Sequence, residues 1–98
     1  MKKTLDGRAV GDRLIRLGIY PNMKGFGYTI DAVTNYSEGA QAMTIYSGIA
    51  KKNNTTAAGV ERAIRHAKKK SEIFRDRPNM EFIALLRWEL EKEVADAG

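Results

Sequence analysis

Arg62 and Arg65 are the residues whose type and spacing best suit chemistry on a macromolecular partner. They lie in the run IAKKNNTTAAGVERAIRHA (49–67), which reads as two short helices joined by a tight polar turn. In the second helix Ala57, Val60, Ile64 and Ala67 fall on one side. Ala58, Arg62, Arg65 and Lys69 fall on the opposite side, at spacings of four, three and four. A guanidinium can donate two parallel hydrogen bonds to guanine N7 and O6. A helix-turn-helix lays its second helix in the major groove, where those atoms are displayed. The expected activity is therefore double-stranded DNA binding.

The surrounding residues meet the demands of that motif. Its first helix needs a small residue where the second packs across it, and Ala50 is there. Its second helix needs apolar anchors, which Val60 and Ile64 supply. The turn needs a residue that tolerates left-handed backbone, and Asn54 takes the place usually held by glycine. Thr55 or Thr56 can cap the following helix through a hydroxyl. Two helices that merely pack together imitate the same pattern, and solvated surface arginines have the same spacing, so charge must be weighed too.

Residues 51–77 hold nine Lys/Arg and three acids, a local balance of +6, while the rest of the chain has a balance of −1. The excess of this +5 chain thus lies on and around the candidate recognition helix, where a phosphate-neutralising protein needs it. Lys68, Lys69 and Lys70 suit general attraction more than sequence reading.

The elements that must position these residues read as all-helical, about five helices in a compact bundle, with no run alternating at the strand period. They span roughly 6–17, 24–36, 41–52, 57–70 and 80–95. Gly18 and Pro21 stop the first helix, and Asn79 is expected to cap the last. Met43, Ile45, Tyr46, Ile49 and Ala50 are read as the inward side of the third helix. Tyr20, Phe26, Tyr28 and Trp88 are read as core or near-core aromatics. Gly48, costly in mid-helix, suggests close approach of another backbone. Ser71 to Pro78 reads as a charged connection.

A length of 98 residues favours one domain, 1–98. No cysteine is present, so disulfides and thiolate metal sites are excluded, and a cytoplasmic location (the bacterial cytosol and nucleoid) is expected. No stretch approaches the ~20 apolar residues of a membrane span. No metal-ligand cluster, phosphate-binding glycine loop or nucleophile–base spacing stands out, and GFG at 25–27 is too short to count. The chain is read as a non-enzyme without cofactor or metal.

The run 49–67 closely resembles the DNA-binding effector domain of the sporulation initiation regulator of endospore-forming bacteria, the stage-zero sporulation protein A family, which carries IAKKFNTTASRVERAIRHA. LIRLGIYPNMKGFGYTIDAV (14–33) is similar to that family's first helix, turn and Lys-Gly-Tyr start of the second, and NMEFIALLRWELE (79–91) to its last helix. The resemblance covers about residues 10 to 92, with VERAIRHA (60–67) uninterrupted. It implies an all-helical domain reading a short box like TGTCGAA, with two copies on tandem sites. It implies that Glu61, Arg62 and Arg65 face bases, the glutamate accepting from cytosine N4. Candidates for phosphate contact are Lys51, Thr55, Thr56, His66 and Lys68, with Lys69 in the same set and Lys24-Gly25 reaching in from the second helix.

Departures from the family are equally specific. Ala58-Gly59 stands where the family has Ser-Arg, and Asn53 where it has phenylalanine. KKKSEIFRDRP (68–78) replaces a much longer link, in a region the family places near partner subunits and RNA polymerase, which argues against the family's route of activation. A stand-alone domain, without the family's receiver domain ahead of it, is expected. The expected function is a transcriptional regulator reading DNA through 57–70. The alternatives are a protein-interaction module, or a phage or mobile-element architectural DNA binder, derived from the same domain.

Overall fold

A computed structural model describes residues 5–97. Among them are five α-helices and no strand: α1 Gly7–Arg16, α2 Lys24–Thr34, α3 Ala42–Lys52, α4 Ala57–Lys68 and α5 Asn79–Ala97. Asp6 caps α1, its carboxylate accepting from the Arg8 amide at 3.0 Å. Val10 and Leu14 are wholly buried, whereas Ile15 faces outward. Gly18, at φ +91°, takes the left-handed turn that stops the chain after Leu17. The bend that follows places Ile19 wholly in the core.

α2 lies at the centre and packs against each of the other four helices, most extensively α4. Gly25 makes that contact possible. A Cβ there would fall onto the Ala63 carbonyl oxygen and within 2.7 Å of Ala67 Cβ. The Thr29 hydroxyl, fully buried, donates back to the Gly25 carbonyl at 2.6 Å. α2 ends at Thr34, two residues before the expected end, because its last carbonyls are met by another helix. Arg87 Nη1 donates to Val33 O at 2.9 Å and Thr34 O at 2.7 Å. A cation at a helix C-terminus also suits the dipole.

Buried residues from every helix form one core, among them Leu14, Val33, Tyr46, Ile49, Ile64, Phe82 and Leu86. Arg13 ties α1 to α5 through Glu89, at 2.8 Å, and Glu93. Several expectations need correction. Met43 is 64% exposed and lies outside the buried face of α3. A Cβ added at Gly48 would meet nothing within 4 Å, so no other helix backbone packs against that position. Trp88 and Tyr20 are exposed, Lys92 lying over the Trp88 ring, while Phe26 and Tyr28 are partly buried against the core. The 71–78 link is more than a charged connection. Its Phe74 is buried against Phe82, ring centroids 5.1 Å apart, and Ser71 is buried with Oγ accepting from the Phe74 amide.

Candidate nucleic-acid interface

The α3–turn–α4 segment is built from local bonds. Asn53 closes α3, its amide N–H bonding back to Ile49 and Ala50 and its side chain donating to Ile49 O at 2.8 Å. Asn54 then takes φ 52°, the one non-glycine residue in the left-handed region among the described residues. Thr56, rather than Thr55, caps α4: its Oγ1 accepts from the Gly59 amide at 3.0 Å. A hydroxyl that accepts still has its proton to donate outward. Ala50 is buried where the two helices meet.

α4 buries Val60, Ile64 and Ala67 and leaves Ala58, Arg62, Arg65, His66 and Lys69 exposed. Arg62 lies near the middle of the exposed arc, beside Ala58 and Lys69, and no hydrogen bond or ion pair engages it among the described residues. Arg65 lies on the flank nearer the link and is held by Glu61, Nη1 reaching the two carboxylate oxygens at 2.6 and 3.0 Å. Such an exposed i,i+4 pair adds only about 0.3–0.5 kcal/mol of stability, but it orients the guanidinium. His66 lies on the other flank. There Met23, Lys24, Gly25, Gly59, Arg62, Ala63 and His66 line a shallow cleft. The close contact at Gly25 thus brings Lys24, at the first position of α2, to the face that carries Arg62 and His66.

Lys51 is exposed at the end of α3, and Thr55 and Thr56 are exposed just ahead of α4. Lys69 and Lys70 are exposed where α4 gives way to the link. The structure places Lys68 differently from its expected position on phosphate. It is only 6% exposed, and its ammonium donates to the Arg77 carbonyl. Burial lowers its pKa, and the nearby charges of Arg65 and Lys69 lower it further. That bond also explains why α4 ends at Lys68 rather than Lys70: the chain turns through Lys70 and Ser71 amides bonded to Ala67 and Lys68 carbonyls.

Asn79 is likewise displaced from its expected role. It opens α5 without capping it, and its side-chain Nδ2 donates to the Glu61 carbonyl at 3.0 Å. Local sequence reasoning missed this link between α5 and α4, and it missed Gly59 and Met23 as cleft residues. A polar residue of capping type is read as a cap, and nothing local in the sequence points to a partner in another helix.

Residues 10–86 match the family described as sporulation initiation factor Spo0A C terminal. The chain belongs to that family. No solved structure matches it. The Spo0A C-terminal family is the DNA-binding domain of a sporulation response regulator, which supports DNA binding as the general activity of this chain. The match takes in α2, α3 and α4 completely. Among the described residues no helix is long and apolar enough to cross a membrane. At Gly59, where the quoted Spo0A-family run has arginine, a Cβ would stand 3.0 Å from Thr55 Oγ1 and 3.1 Å from Thr56 Oγ1. The missing side chain also leaves the cleft beside Arg62 open.

Proposed function

We propose that this protein is a transcriptional regulator that reads a short DNA box in the major groove through α4. Arg62 and Arg65 donate to base edges, and Glu61, besides orienting Arg65, accepts from a cytosine amine. Lys24, Lys51, Thr55, Thr56, His66, Lys69 and Lys70 hold phosphates on either side. Lys68 is left out of that set because its ammonium is spent on the Arg77 carbonyl. The observation that carries the reading is Arg62, exposed and unengaged at the middle of a basic helix face, with Lys24 and His66 brought to the same cleft.

The test is binding to a duplex carrying a TGTCGAA-type box and to a scrambled duplex at two salt concentrations. A preference for the box that disappears in Arg62→Ala supports base reading by α4. Equal, steeply salt-dependent binding to both duplexes leaves two readings, a box changed from the family's or the architectural alternative. The protein-interaction alternative draws on one specific observation. Ile15, Tyr20 and Ile73, all exposed, line one surface depression between the end of α1 and the link. Absence of DNA binding at low salt would favour that alternative.

A further inference from the structure

Asn79 is 8% exposed, and its Oδ1 is buried without a hydrogen-bond partner. An unpaired buried amide oxygen is destabilising, and a leucine would fill much the same volume without that cost. A buried amide satisfied only at its donor end is poorly explained by packing and points to what that donor holds. Nδ2 is bonded at 3.0 Å to the main-chain carbonyl of Glu61, the residue whose carboxylate grips Arg65. Tyr46, buried on α3, lies near enough for the Asn79 side chain to influence its hydroxyl. α3, α4 and the first residue of α5 therefore meet at one polar point.

We propose that Asn79 is a positioning residue for base reading: it pins the Glu61 backbone and, through the Glu61–Arg65 pair, fixes where Arg65 enters the groove. This rests on the base-reading role proposed above for α4. The geometry gives the pin leverage. Glu61 and Lys68 lie about two turns apart on the same side of α4. Both are tied to the junction of the link and α5, Glu61 through Asn79 at the start of α5 and Lys68 through the Arg77 carbonyl just ahead of it. Two tethers at different heights resist rotation of a helix about its own axis, which apolar packing alone tolerates more readily. A rotation would carry Arg65 sideways while leaving the net charge of the face unchanged. Loss of the pin should therefore reduce discrimination between sequences without reducing phosphate attraction.

The experiment uses the full chain and a duplex selected by the wild-type protein from a randomised pool. Asn79→Leu is the principal variant, because it removes the donor and keeps the volume. Asn79→Ala is the second. Leu90→Ala, a core substitution about three turns farther along α5, controls for general loosening. All are compared well below their melting temperatures. The ratio of affinities for selected and scrambled duplexes should fall about five- to tenfold in both Asn79 variants, part of the value of one bidentate contact. Affinity for the scrambled duplex and its salt slope should stay at wild-type values, and Leu90→Ala should keep the ratio. In an Arg65→Ala background, Asn79→Leu should cause no further loss. An unchanged ratio, or a loss that adds fully to that of Arg65→Ala, overturns the positioning role and leaves base reading by α4 standing. A wild-type protein that selects no sequence from the pool overturns both.

Discussion

Three helical glycines in this fold should respond in opposite directions to the same substitution. Gly27 and Gly48 have nothing within 4 Å of an added Cβ. Alanine there gains the ordinary difference in helix propensity, about 0.5–1 kcal/mol, without strain. Gly25 offers the same gain, but its added methyl falls onto the Ala63 carbonyl oxygen and within 2.7 Å of Ala67 Cβ. Overpacking costs about 1–3 kcal/mol, with the upper end expected where the obstructing atom is main chain that cannot rotate away. The propensity gain offsets part of this, leaving a net loss of about 1–2 kcal/mol. For a domain of this size 1 kcal/mol moves the midpoint by about 4–8 °C. Thermal unfolding followed by circular dichroism should therefore show Gly48→Ala a few degrees above wild type and Gly25→Ala roughly 5–15 °C below it. The consequence extends to function, since Lys24 adjoins Gly25 and shares a cleft with Arg62 and His66. Gly25→Ala should weaken DNA binding even at temperatures where it is fully folded, and Gly48→Ala should not. A Gly25→Ala midpoint equal to or above wild type would refute the close α2–α4 contact, and a lowered midpoint in Gly48→Ala would refute the open surroundings of that residue.

Arg62→Ala should cost about 1–3 kcal/mol on the preferred duplex and relax specificity at one position, measured by titration against single-base variants. Lys69→Ala should weaken all duplexes alike and reduce the salt slope by about one, while Lys68→Met should leave the slope unchanged and lower the urea midpoint instead. Asn54, at φ 52°, should tolerate glycine within a few tenths of a kcal/mol but lose about 1 kcal/mol or more as alanine, read from urea midpoints. Burial is the chief cause raising the Tyr46 pKa, so the folded chain holds that proton to higher pH than the unfolded one. Its contribution is complete below about pH 10 and falls as pH rises past that point, a loss that Tyr46→Phe should abolish in alkaline denaturation.

The five helices are legible because each carries an apolar stripe at helical spacing, bounded by Asp6, Gly18, Asn53 or Thr56. What is not legible depends on contacts between elements. Trp88 and Met43 each stand beside a true core stripe, and periodicity cannot say which edge of a broad apolar arc meets the core and which meets water. Ile19 and Phe74 lie in turns, where no period exists to mark them, yet both are buried. The end of α4 is misplaced because lysines are good helix formers, and nothing local says that the ammonium of Lys68 will be drawn to a carbonyl of the link.

The outward placement of Arg62 and Arg65 is legible for the opposite reason: which side of a helix faces away from its apolar stripe is a local property, set by spacing alone. The nearness of Lys24 to that face is not, because it depends on a glycine that only the packed structure explains. These two kinds of residue divide the labour within α4. One flank is seated on Gly25, the other is tied through Lys68 and the Glu61 carbonyl to Arg77 and Asn79. The short link that carries those ties is itself held by Phe74 against Phe82 and by buried Ser71. The exposed arc between the flanks, Ala58, Arg62 and Lys69, supports nothing in the core. If α4 reads bases as proposed, substitutions on that arc should change the sequence preferred without unfolding the chain. Under the proposed reading, substitutions at Gly25, Lys68 or Asn79 act instead on the aim of α4.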